Sequence, residues 1–178
     1  MEPMVIQQEE NRRDFLILAT SAMGVAGTAA ACWPFIRSWS PSADVLAQAT
    51  TEVDIKSIEE GQMITVPWQG KPVFILHRTA AQIKAAQSDD SAQMTEPEKD
   101  SARTHKPEWL VVVALCSHLG CVPQPVGTGD YGGFLCPCHG SHYDTSGRIR
   151  KGPAPKNLPV PHYEFKDAQT LVIGKAVA

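Results

Sequence analysis

The chain has 178 residues, enough for one globular domain plus an anchor, and its net charge of −3 gives no electrostatic basis for binding nucleic acid. Hydrophobic content is ordinary at 43%, but the apolar residues are unevenly placed. No P-loop, dinucleotide fingerprint or Ser/His/Asp constellation occurs, so an independent kinase or hydrolase role has no support.

In chain order, the first feature is an uncharged run over 15–36, rich in Ala and Gly and so only moderately hydrophobic. A bilayer crossing needs about 20 residues, and Trp33 and Trp39 suit an interfacial aromatic belt. Ahead of it, Asn11-Arg12-Arg13-Asp14-Phe15-Leu16 resembles a twin-arginine export signal, with Asn11 where Ser or Thr is usual and Ile17 where Lys is frequent. Arg12 and Arg13 also satisfy the positive-inside tendency. The expected organisation is a cytoplasmic N-terminus over 1–14 and a retained transmembrane anchor over 15–36. Cleavage at Ala29-Ala30-Ala31 is a competitor. Cys32, the unpaired one of five cysteines, is expected to be a small buried hydrophobe. Residues 37–50 are small and polar and read as a hinge or a passive linker.

From Thr51 onward, short β-like runs recur at 51–55, 62–68, 71–78, 109–115 and 170–174, punctuated by Gly and Pro. An all-β, antiparallel sandwich head over 51–178 is expected. Residues 80–106 interrupt it with an Ala/Gln-rich helical piece and a polar, acidic run, read as a surface insertion with a solvated face. The apolar strand 111–115 leads directly into Cys116, so the loop that begins there should hang from a buried element.

That loop and a second carry the chemistry: Cys116-Ser-His118-Leu-Gly-Cys121 and Cys136-Pro-Cys138-His139-Gly-Ser141-His-Tyr143. Zinc sites usually group like ligands, as C-x2–4-C and H-x3–5-H, at about those spacings. Here each loop offers Cys with His, a mixture suited to a 2Fe–2S cluster with two thiolates on one iron and two imidazoles on the other. Tetrahedral zinc remains the alternative on donor type alone. Of six histidines, only His118 and His139 have ligand spacing; His77, His105, His142 and His162 are expected to be structural or surface residues.

The two boxes resemble the Rieske family, without a gap or a substituted ligand. The resemblance implies one 2Fe–2S cluster, held by Cys116 and Cys136 on an inner iron and by His118 and His139 on an outer one. It implies a disulfide between Cys121 and Cys138, which needs an oxidising compartment. It implies hydrogen bonds to sulfur from Ser141 and Tyr143, the latter to Cys116, and a cluster cover that includes Leu119, Gly120 and the proline loop at Gly152-Pro153-Ala154-Pro155. It also implies a cluster-binding subdomain over about 111–155. Within the family, the extra cysteine pair points to the quinol-oxidising branch, the iron–sulfur subunits of bacterial cytochrome bc-type complexes. Such a subunit takes one electron from ubiquinol, with His139 accepting the proton, and passes it to a membrane-bound c-type cytochrome. The implied partners are a cytochrome b subunit, the c-type cytochrome, ubiquinol and membrane lipid. They would form a dimeric complex in a bacterial inner membrane, with the head in the periplasm. A Rieske subunit of another periplasmic oxidoreductase, such as arsenite oxidase, is the alternative.

Overall fold

The computed structural model describes residues 11–40, 42 and 49–174; the expected cytoplasmic segment ahead of residue 11 and most of the 37–50 linker lie outside the described residues. The chain divides into two units, 1–43 and 44–178.

The described part of the first unit is dominated by one helix, α1 (Arg12–Arg37). Asn11 precedes it in extended conformation, and its carbonyl accepts the N–H groups of Asp14 and Phe15 at 2.9 and 3.2 Å. Asp14 in the first turn and Arg37 in the last complement the helix dipole. At 1.5 Å per residue its 26 residues run about 39 Å, longer than the ~30 Å hydrocarbon layer. Mean hydropathy reaches 1.7, so the helix is long and apolar enough to cross a membrane. Thr20 and Thr28 donate their hydroxyls back to the carbonyls of Leu16 and Gly24 at 2.7 and 2.8 Å, which leaves neither unpaired on an apolar rod. No residue of α1 is buried, and Cys32 on it is exposed, contrary to the expectation of a small buried hydrophobe.

The second unit holds three antiparallel sheets of three strands each among the described residues. One runs β1 (Thr51–Asp54), β9 (Thr170–Ile173), β8 (Tyr163–Phe165); the next β2 (Met63–Trp68), β3 (Lys71–His77), β4 (Trp109–Val113); the third β5 (Gly132–Cys136), β6 (Ser141–Asp144), β7 (Ile149–Lys151). Strands β3 and β4 pair with Phe74 opposite Val112 and Ile75 opposite Val111. They are buried on both faces, so β4 reads as a continuous apolar run rather than an alternation. Their period-two pleat separates two cores. Val73, Ile75, Trp109, Val111 and Val113 pack with residues of the first sheet such as Val53, Tyr163 and Leu171. Phe74, Leu76, Leu110 and Val112 pack with Phe134, Tyr143 and Ile149 of the third. The same parity continues through Ala114 to Cys116, which lies in that second core.

Most of residues 80–106 are exposed or half-buried, as expected of a surface segment, but Ala86, Asp100, Arg103 and Thr104 are buried and its carboxylates are not simply solvated. The helical piece is present as α2 (Ala80–Ser88), opened by a capping box between Thr79 and Gln82. The rest of the segment, including a short helix α3 (Asp100–Arg103), is a clasp on the third sheet. Asp100 takes two hydrogen bonds from Arg78, at 2.7 and 3.1 Å, and one from the Ser146 hydroxyl at 2.6 Å. Arg103 donates to the carbonyls of Ser146 and Leu158 and to Glu98. Arg148 donates to Asp144, Asp90 and the carbonyls of Ala86 and Glu98. All three arginines are buried, and a buried guanidinium is tolerated only when paired, so the acidic run is drawn inward.

Candidate metal centre

Both boxes are loops closed by the same hydrogen bond. In the first, the N–H of Gly120 donates to the carbonyl of Cys116 at 2.8 Å; in the second, the N–H of Gly140 donates to the carbonyl of Cys136 at 3.0 Å. Each glycine has positive φ, +79° and +69°, the left-handed turn that L side chains avoid. The second loop is the tip of the β5–β6 hairpin, with Cys136 opposite Ser141. The first is pinned at its far end, where the Cys116 N–H donates to the Cys121 carbonyl at 2.8 Å.

The two loops bring the two thiols together and the two imidazoles together. Cys116 and Cys136 are free thiols, 3% and 2% exposed, and the imidazoles of His118 and His139 lie 4.6 Å apart, nearly perpendicular at 87°. His139 is exposed and His118 half-buried, so the imidazole side faces solvent while the thiols point into the core. Cys121 and Cys138 form the expected disulfide, with Cα atoms 6.7 Å apart, and tie the loops together. The Cys136 sulfur lies within 4.8 Å of both disulfide sulfurs.

Two hydroxyls border the thiols. Tyr143, wholly buried, donates to the Cys116 sulfur at 3.2 Å. Ser141, also buried, accepts the Ala154 N–H at 3.2 Å. Burial alone would push the Cys116 thiol up, but hydrogen bonds from the Tyr143 hydroxyl and the His118 N–H, with others from Cys136 and Ser141, hold it below its ordinary value. Burial and the adjacent Cys116 push Cys136 up, against opposing N–H groups of Cys138 and His139. Burial, then the hydrogen bond to Cys116, pushes Tyr143 up as well, so it stays a donor. The pocket therefore supplies hydrogen bonds to anionic sulfur.

The proline loop passes close to the second box. A Cβ on Gly152, whose φ is +104°, would lie 2.5 Å from the Gly140 carbonyl oxygen and 2.6 Å from the Ser141 Cα, so only glycine fits there. Gly152 and Pro153 are exposed; so are Leu119 at 70% and Val122 at 51%, within and just after the first box, which gives that box an apolar rim. The other histidines play the structural or surface parts expected: His77 stacks on Trp109, His105 on Tyr163, His142 accepts the Asp130 N–H, and His162 is exposed. Two further residues at the site carry no signal in the sequence. Ser117 donates to the Lys156 carbonyl at 2.6 Å and accepts its N–H at 3.1 Å, and Asn157 is buried behind the same loop. Neither can be picked out from its neighbours in the chain, because its partners lie far away in sequence.

The donor set fits a metal centre on an observation independent of spacing: the His118 Nδ1 is buried with no hydrogen-bond partner among the described residues. A buried, unpaired imidazole nitrogen beside two buried thiols is costly unless something binds it.

Comparison with known proteins identifies the group. Residues 48–164 match the Rieske [2Fe-2S] domain, and residues 4–42 match the family described as "Ubiquitinol-cytochrome C reductase Fe-S subunit TAT signal", in agreement with the twin-arginine reading. The chain is 56% identical over 170 residues to the ubiquinol-cytochrome c reductase iron-sulfur subunit of Rhodospirillum rubrum, covering 93% of each. It is 53% identical over 161 residues to the mitochondrial cytochrome b-c1 complex subunit Rieske of Neurospora crassa, covering 90% of this chain and 69% of that protein. A solved structure of a hyperthermophilic respiratory complex III contains a chain that matches with a TM-score of 0.52 at 27% identity, covering 86% of this chain and 97% of that one. An export-signal match that spans the one membrane-length apolar helix among the described residues fits a single-pass, membrane-anchored subunit. The zinc alternative falls away, and the chain belongs to the Rieske [2Fe–2S] family.

Proposed function

We propose that this chain is the iron–sulfur subunit of a bacterial ubiquinol–cytochrome c reductase, anchored in the inner membrane by 15–36, with the head from 51 onward in the periplasm. In this reading, Cys116 and Cys136 hold the inner iron, and His118 and His139 the outer one. The observation that carries it is the pairing of two buried thiols with two imidazoles on twin loops, in a chain that also carries a membrane-length helix. The similarity to ubiquinol–cytochrome c reductase subunits favours this reading over one of the arsenite-oxidase type. When bound, the cluster supplies a one-electron acceptor in the range of about −150 to +300 mV, above the roughly −400 mV of all-thiolate plant-type clusters.

The chain's own residues do the rest. His139, exposed at the tip, offers an imidazole nitrogen to a quinol hydroxyl and takes its proton. The rim of Leu119 and Val122 excludes water around that contact and docks on an apolar surface of a cytochrome b subunit. Residues 37–50 serve as the hinge that lets the head reach a c-type cytochrome subunit, in a dimeric complex. Low-temperature electron paramagnetic resonance of ascorbate-reduced membranes, followed by purification of the tagged chain, tests this. A Rieske signal that co-purifies with b- and c-type haems is expected; a chain that purifies with a molybdenum protein instead would overturn the reading.

Tyr143 and Ser141 set the potential. A hydrogen bond to a charged group is worth about 1.5–3 kcal/mol, and a one-electron couple moves by about 59 mV per ~1.4 kcal/mol. Tyr143→Phe and Ser141→Ala should therefore each lower the midpoint by roughly 50–130 mV. Quinol oxidation should slow in step. Redox titration of both variants checks this, and an unchanged midpoint with the cluster intact would make the hydroxyls purely structural.

A further inference from the structure

The proline loop is closed from behind by one side chain. Asn157, buried just past the loop, accepts the Ile149 N–H on Oδ1 at 2.9 Å, so the exit of the loop is bonded to the strand that leads into it. Its Nδ2 donates to the Glu96 carbonyl at 3.1 Å and to the Glu98 carboxylate at 3.2 Å, and its own N–H donates to the Glu96 carboxylate at 2.6 Å. Side-chain oxygen, side-chain nitrogen and backbone N–H are thus all engaged, across three separate stretches of chain. Between residues 149 and 157, the loop touches the centre at two hydroxyls: the Ala154 N–H donates to Ser141, and the Lys156 backbone bonds Ser117 in both directions. These are the inner contacts; Asn157 is the outer closure that keeps them in register.

We propose that Asn157, held by Glu96 and Glu98 of the clasp, is the positioning residue of the proline loop. By fixing that loop on Ser141 and Ser117, it controls how well the cluster is shielded. The acidic segment 96–98 then acts on the centre at a distance, through one amide. This inference rests on the ligand assignment proposed above.

The test uses the full chain in solubilised membranes. In Asn157→Asp, the amide donor becomes a carboxylate facing the Glu98 carboxylate and the Glu96 carbonyl, while the acceptor for Ile149 is kept. Cluster loss to an iron chelator should quicken by about tenfold or more, because local opening of the loop loses its opposing bonds, and the resonance line should broaden. Adding Glu98→Gln to Asn157→Asp restores a donor opposite the new carboxylate and should return the chelation rate and line shape most of the way to wild type. A merely structural asparagine would show no such rescue. Failure of rescue, or a folded Asn157→Asp with wild-type chelation and line shape, would overturn the proposal. If Asn157→Asp does not accumulate, Glu96→Gln, which keeps an acceptor for the Asn157 N–H, should give a smaller acceleration; an unchanged rate there would also overturn it. Absence of a Rieske signal in the wild-type chain would instead refute the ligand assignment.

Discussion

Replacing any one of Cys116, His118, Cys136 or His139 by Ala is expected to abolish the Rieske resonance, with iron content falling to background. In the proposed ligand set each supplies one of four donors, and an open coordination position would expose the iron to water and exchange. Cys116 has a further reason to matter: hydrogen bonds from Tyr143 and the His118 N–H offset its burial and hold its thiol below the ordinary range, which favours sulfur as an anion. Cys121→Ala should behave differently. It removes a disulfide that closes 17 residues, worth about 3 kcal/mol for a loop of that size, but leaves every proposed ligand in place. Some cluster should assemble, and it should be more labile. Resonance and iron analysis of the five variants, with circular dichroism to check folding, separate the classes. A normal signal in His118→Ala would sink the ligand assignment, and complete loss in a folded Cys121→Ala would show that the disulfide cysteines are not mere braces.

Local features are the ones legible in the sequence. Both boxes, their closing glycines and the uncharged run of α1 lie within short windows, and the five β-like runs correspond to β1, β2, β3, β4 and β9 to within a residue or two at their ends. Strands β5 to β8 give no such signal, for a physical reason. All are three to five residues long, too short for an apolar alternation to show; β5 and β6 contain Gly, Ser, His and Asp, and β5, β6 and β7 pair through bulged hairpins at the metal centre, while β8, Tyr-Glu-Phe, pairs with β9. The clasp is misleading in sequence because its carboxylates pair over long range. Arg78 meets Asp100 across 22 residues and Arg148 meets Asp90 across 58, so Gln-Ser-Asp-Asp-Ser looks like a solvated run until the arginines are placed beside it. Asn157 is invisible on the same grounds, with Glu96 lying 61 residues away.

Those buried charges carry the second large effect: Arg148→Leu is expected to cost about 3–5 kcal/mol, much of the 5–15 kcal/mol typical of a domain. The side chains of Arg148 and Asp144 are both 0% exposed, so truncating the cation strands a carboxylate with no water to solvate it. The Ala86 and Glu98 carbonyls lose their donor as well. A drop of roughly 10–20 °C in thermal midpoint should result. Removing both charges together, as Arg148→Leu with Asp144→Leu, should restore part of the loss, since a buried pair stabilises little over apolar residues of similar size. Acid separates the clasp from the rest of the head. Burial would raise the Asp100 carboxyl, but hydrogen bonds from Arg78 and Ser146 and the charges of Arg78 and Arg148 outweigh it and hold the group below its ordinary 3.8. A depressed folded value means that the stabilisation is present in full above 3.8 and is lost as pH falls through the lower folded value. The Asp100 contribution to wild-type stability should therefore be lost in that acid window, and Asp100→Asn, less stable at neutral pH, should lack that part of the fall. Thermal midpoints of wild type, Arg148→Leu, the double Leu variant and Asp100→Asn from pH 7 downward decide it: an Arg148→Leu midpoint within a few degrees of wild type would mean that the clasp closes on the sheet without stabilising it.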